Sequence, residues 1–212
     1  MGMSNMKNTS IGILAVAIFV AICYFIWVAL SQSVIPTEEA PIAETKNTYA
    51  TSTFSIQYPP NYILDDAYSY EKFKGKSIVG VKFVIPESFA SGTNLSAQGT
   101  GVSVEMLPRA KKCTADIYIL EDVKAIDLTM GSTTYSVATT SGVAVASDNF
   151  LEEQVFAVKN SSPCVAVRYS LNSTAIGDAP PAQAGEPAMR EFDHSALIRA
   201  FDDIRNSLIL NQ

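Results

Sequence analysis

Two short stretches have the residue types and spacing of a serine acyl-transfer site. Ser69-Tyr70-Glu71-Lys72 fits S-x-x-K, in which a lysine one helical turn beyond a serine can take its proton, and Ser147-Asp148-Asn149 fits S-D-N. Their context does not suit that chemistry. Such a serine must open a buried helix, whereas residues 68–76 are polar, aromatic and strand-like, and the third element, K-T-G, is missing. His194 is the only histidine, and Asp193 beside it cannot orient its ring, because neighbours on a helix point apart. Its plainer role is a polar residue in the first turn of the last helix.

The acids come as doublets: Asp65-Asp66, Glu121-Asp122, Glu152-Glu153 and Asp202-Asp203. Glycoside hydrolysis needs two carboxyls facing each other across a cleft, and solvated faces or turns explain such doublets more simply. None has the D-x-D-x-D-G spacing of a calcium loop, and one histidine with two paired cysteines leaves a tetrahedral zinc site short of ligands. Asn94, Asn160 and Asn172 satisfy N-x-[ST], a pattern frequent by chance. No catalytic, cofactor-binding or metal-binding set emerges.

The elements that would position any site begin with Ile11 to Leu30, twenty residues without a charge, Asn, Gln or Pro. As a helix rising about 1.5 Å per residue the run is about 30 Å long, the thickness of bilayer hydrocarbon, and reads as one transmembrane helix with the lipid bilayer as its partner. Lys7 precedes it and the first charges after it are Glu38 and Glu39, which places the N-terminus, residues 1–10, in the cytoplasm and the remainder outside a cell membrane crossed once. A cleaved signal peptide is the competing reading, since Ala29-Leu30-Ser31 offers small residues, although secretory apolar cores usually span about 7–15 residues. Residues 31–49, with two prolines and three glutamates, read as an extended tether to a domain spanning 50–212.

Of the 15 Lys and Arg only Lys7 falls in the first 31 residues, so 14 cations face all 21 acids beyond them, a net charge of −7. That balance argues against nucleic acid or anionic lipid as a partner of the domain. The nearest approach to a basic patch is Arg109, Lys111 and Lys112, with Lys72, Lys74 and Lys76 on another segment, each read as a solvated edge or loop. Among three cysteines, Cys23 sits in the apolar run, and Cys113 and Cys164 remain as an even pair in an oxidising compartment. They are expected to be joined. In the chain-entropy model, closing a loop of about 50 residues stabilises the fold by about 4 kcal/mol.

From Phe54 the pattern has period two. Phe54, Ile56 and Tyr58 alternate with polar residues up to Pro59-Pro60; Val79, Val81, Phe83 and Ile85 share a face, as do Val102, Val104 and Met106, and Val165, Val167, Tyr169 and Leu171. Residues 123–129, 133–139 and 150–159 pair plausibly as a meander. Leu197, Phe201, Ile204 and Leu208 then fall at helical spacing, with Asp193 or Ser195 to cap the start. Near Cys113 a shorter helix competes with strand over Tyr118 to Leu120, and residues 173–188, with three prolines, read as a disordered loop. The expected fold class is α+β, an antiparallel sheet of about six strands covered by a C-terminal helix and preceded by the transmembrane helix.

Phe54-Ser55-Ile56-Gln57-Tyr58-Pro59 followed by Tyr62, together with the closing Phe192-Asp193 to Leu208 helix, resembles the opening strand and closing helix of PsbP-like domains. The resemblance implies an α/β/α sandwich around a curved antiparallel sheet and an accessory or assembly role, and it transfers no catalytic residue. Two functions are therefore expected. The first is a non-enzymatic binding module that meets an envelope or membrane protein; the second is a hydrolase of an envelope polymer that uses acid pairs or Ser69 and Lys72.

Overall fold

The computed structural model divides the chain into two compact units, Met1–Ala43 and Glu44–Gln212. It describes Tyr24 and Trp27 of the first, both helical, and of the second residues 45–71, 73, 76–120, 122–143, 149–176 and 188–211. Among its described residues the second unit carries eleven strands: β1 (Asn47–Ala50), β2 (Phe54–Tyr58), β3 (Ile63–Asp65), β4 (Ser69–Tyr70), β5 (Ile78–Val84), β6 (Leu95–Leu107), β7 (Ile126–Met130), β8 (Thr133–Val143), β9 (Asn149–Val158), β10 (Cys164–Thr174) and β11 (Ile209–Leu210). A one-turn helix, α1 (Glu87–Ala90), and a three-turn helix, α2 (His194–Arg205), interrupt them.

The strands form a three-stranded sheet, β1-β2-β11, and an eight-stranded sheet ordered β3-β5-β6-β10-β9-β8-β7, with β4 also on β5. Every ladder is antiparallel. The long strands follow the alternation in the sequence. Val81 and Phe83 on β5, Val102 and Val104 on β6, and Val167 and Tyr169 on β10 face one side, where they pack on Leu197, Phe201 and Ile204 of α2 and on Phe54 and Ile56 of β2. Burying each such side chain contributes about 1.5–3 kcal/mol. Asp193 caps α2 by accepting the Ala196 N–H at 2.9 Å, as its type and position lead one to expect.

Two expectations need correction. In place of one sheet of about six strands under a helix, an α+β arrangement, the described residues are mostly β, with sheets of three and eight strands and, in the second unit, one described α-helix longer than one turn. The additional strands β1, β3, β4 and β11 are two to four residues long and have no alternation of their own, so only pairing with a neighbour defines them. Asn47 to Tyr49, read as tether, pair with Ile56 to Tyr58. Near Cys113 the chain makes a 3-10 turn, Ala115–Tyr118, and no α-helix. Second, no helix among the described residues is long and apolar enough to cross a membrane, so the transmembrane assignment has no support. Residues 11–30, on which it was read, lie outside the described residues except for Tyr24 and Trp27. The proline-rich loop lies outside them from 177 to 187.

Candidate functional site

The other face of the eight-stranded sheet is also covered. The connection from β6 to β7 folds back over it, and Ala115, Tyr118 and Ile119 pack with Tyr70 and Ile78 onto Ala138, Val155, Ala157 and Ala166. The small side chains on the sheet let the connection approach closely. Covalent and hydrogen-bonded attachments hold it. Cys113 is joined to Cys164 at the start of β10, the Tyr118 hydroxyl donates to the Cys164 carbonyl at 2.8 Å, and the Ala115 N–H donates to Ser136 Oγ at 3.0 Å.

Between this connection and the β4–β5 hairpin runs an open groove of about 1330 Å³. Its floor is apolar, built from Phe73, Ile78, Leu107 and Ile117, and four cations, Lys76, Arg109, Lys111 and Lys112, stand along it with one acid, Asp116. All four cations are exposed, and none makes an ion pair with a described residue. Pro108 ends β6 because it has no N–H for the ladder, and the turn after it carries Arg109, Lys111 and Lys112 into the groove. Lys76 and the cluster Arg109, Lys111 and Lys112, distant in sequence, thus meet in a domain whose net charge is negative.

Beneath the connection lies a layer of buried charge. Arg168 on β10 donates from Nε to Glu105 Oε1 at 2.7 Å and from Nη2 to Glu105 Oε2 at 2.8 Å and to the Tyr118 carbonyl at 2.7 Å. Its Nη1 lies 3.6 Å from Glu153 Oε2, and its guanidinium stacks 3.7 Å from the centre of the Tyr70 ring. Ser103 Oγ donates to Glu105 at 2.9 Å, and the Tyr70 hydroxyl donates to Glu153 at 3.0 Å. Burial opposes the charge on Arg168, but Glu105 more than offsets it and holds the group above its ordinary pKa. Burial pushes Tyr70 and Tyr118 up, and it pushes Lys82 down to about 8 against the pull of Glu105 and Glu153. Lys82 Nζ donates to the Gly99 carbonyl at 2.7 Å, where β6 bulges. These groups are committed to one another, so the layer acts by positioning. Through the Tyr118 carbonyl, Arg168 fixes the wall of the groove.

The residues singled out in the sequence are scattered. Ser69 lies on β4, and Lys72, Glu121, Ser147 and Asp148 lie outside the described residues. Asp65, Asp66, Asp122 and Asp203 are exposed. The other two doublets split across their elements. Glu152 contacts His194 Nε2 at 3.1 Å near the surface while Glu153 turns in to Arg168; Asp202 accepts from Tyr169 at 2.8 Å and pairs with Arg205 at 2.6 Å. Among the described residues no group of three or more His, Cys, Asp or Glu is placed to hold a metal ion. Glu105, Lys82 and Arg168 were missed because each lies on the polar side of an alternating strand, which reads as the wet side. A signal was present: Cys164, Ala166 and Arg168 alternate on that side, and a bridged cysteine requires chain to cover it. Compared with known proteins, the chain matches no family model and no curated protein sequence.

Proposed function

We propose that this chain is a non-enzymatic binding module whose groove takes an acidic, partly apolar stretch of a partner protein. The observation that carries this reading is the gathering of Lys76, Arg109, Lys111 and Lys112 over an apolar floor. Rim cations attract and orient an acidic chain, and the floor offers burial to apolar side chains between its acids. The groove exceeds the roughly 300–1,000 Å³ usual for small ligands, which favours a length of polypeptide. A nucleic acid would meet the net negative charge of the rest of the domain. The bridged cysteines favour an oxidising compartment.

The test is fluorescence anisotropy of the full-length chain with a labelled peptide that alternates Glu with Leu. Saturable binding should weaken by about tenfold or more in the double variant Lys111→Glu, Lys112→Glu and should fall as salt rises toward about 0.5 M. Affinity unchanged by charge reversal, or equal affinity for a Lys-Leu peptide, rejects the reading.

A further inference from the structure

On the other side of the eight-stranded sheet from the groove, where α2 packs, lies a smaller cleft of about 610 Å³ between the turn after β2, α1 and α2. This volume falls in the usual range for small-ligand sites, roughly 300–1,000 Å³. Its wall is apolar, with Pro59, Phe89 and Ile204 around the ring of Tyr62. Tyr62 is 5 % exposed and meets Phe89 edge-on, ring centres 6.2 Å apart, yet its buried hydroxyl has no hydrogen-bond partner among the described residues. This sets it apart. Tyr70, Tyr118 and Tyr169, equally buried, each donate to an acceptor within 3.0 Å. Tyrosine hydroxyls usually find a partner when buried, and burial alone pushes this one up to about 12.

The rim carries one charge of each sign. Lys46 and Asp203 both line the cleft, both are exposed, and neither pairs with the other or with another described residue. Two unpaired opposite charges lining an apolar cleft complement a ligand that itself bears both charges on an apolar body. We infer that this cleft binds a small zwitterion of the amino-acid or dipeptide class, with its carboxylate at Lys46, its ammonium at Asp203 and its side chains against Pro59, Phe89 and Ile204, and that on binding the Tyr62 ring shifts toward the cleft so that its hydroxyl, sealed from solvent in the free protein, donates to a ligand oxygen. The site is independent of the basic groove in both residues and chemistry. Its failure would leave the groove untouched.

The probe is leucyl-phenylalanine, followed by saturation-transfer NMR and titration calorimetry on the full-length chain. Its N-acetyl, C-amide form, which lacks both charges, is the control. The free dipeptide should bind saturably, and the blocked form about tenfold or more weakly. Tyr62→Phe should weaken the free dipeptide by a similar factor while leaving the thermal midpoint unchanged or raised, since it removes an unpaired hydroxyl and keeps the ring. Asp203→Asn, at an exposed position, should weaken the free dipeptide and spare the blocked one. Equal binding of the two forms, no binding of either, wild-type affinity in Tyr62→Phe, or a sharp fall in its midpoint would each overturn the assignment.

Discussion

Arg168 and Glu105 meet fork to fork across neighbouring strands. Nε–Oε1 is 2.7 Å, Nη2–Oε2 is 2.8 Å, and both side chains are fully shut off from solvent. They are diagonal neighbours: Arg168 pairs in register with Ser103, and Glu105 pairs with Ala166. Two hydrogen bonds of this kind fix orientation as well as distance, which is how a buried pair on the sheet can hold the Tyr118 carbonyl above it.

Removing one partner strands the other in the interior. Glu105→Gln or Arg168→Met should each cost about 3–5 kcal/mol in urea denaturation, and the two changes together should cost clearly less than their sum, because no uncompensated charge then remains between them. Additive costs would mean that the pair is not energetically coupled.

Two sets of buried groups give stability opposite slopes in alkali. Lys82, pushed down to about 8 chiefly by burial, loses its proton in the folded state before the unfolded chain does near 10.5, so between those values the unfolded state holds more protons and stability rises with pH. Tyr62, pushed up to about 12 by burial, and Tyr70, Tyr118 and Tyr169, also raised mainly by burial, keep protons that the unfolded chain sheds near 10.0, so stability falls beyond that pH. The urea midpoint should pass through a maximum at about pH 9–10 and lose its rising limb in Lys82→Met. A wild-type midpoint that only falls above pH 8 contradicts the assignment to Lys82.

Cys113 and Cys164 are 51 residues apart in sequence. Replacing both by Ser should cost about 4 kcal/mol in the chain-entropy model, a value that measured cases often undershoot. Hydrogen exchange should accelerate most at residues 114–119, and peptide binding to the groove should weaken with it. Uniform acceleration across the sheet would show that the bridge stabilises the whole domain without holding that wall in particular.

Gly101 on β6 has no room for a side chain, since a Cβ would run into the Phe83 carbonyl oxygen on β5. Gly101→Ala should therefore destabilise by about 1–3 kcal/mol through parting of the strands. Gly142, with open space around it and no positive φ, should accept alanine with no loss. Equal thermal midpoints for the two variants would mean that the β5–β6 ladder yields more readily than its packing suggests.

The first core was legible because its rule is local. Val165, Val167, Tyr169 and Leu171 repeat every second residue, and Leu197, Phe201 and Ile204 repeat at helical spacing, so each segment reveals which side it buries. The second core was not legible. Ala138, Ala157 and Ala166 are too small to mark a buried face, and Arg168, Glu105 and Lys82 carry charges that usually face water. The leading half of β6, Leu95 to Thr100, is rich in Ser, Ala, Gln and Gly and has weak strand preference; its pairing with β10 makes it a strand. The basic groove was half visible, since Arg109, Lys111 and Lys112 stand out in the sequence and nothing local indicates that Lys76 joins them.

From its residues alone this chain determines a β-rich domain with one well-marked apolar face, a capped C-terminal helix, an even cysteine pair and a net negative charge. Those features depend on periodicity, neighbouring residues and composition, which chain order preserves. The tertiary structure decided that the polar face is also covered, that Arg168 and Glu105 neutralise each other there, that Lys76 joins Arg109, Lys111 and Lys112 over one floor, and that the Tyr62 hydroxyl is buried with no partner among the described residues. Each of these depends on which distant segments pack together. Burial and pairing are properties of that packing, and a residue's type sets only what each will cost.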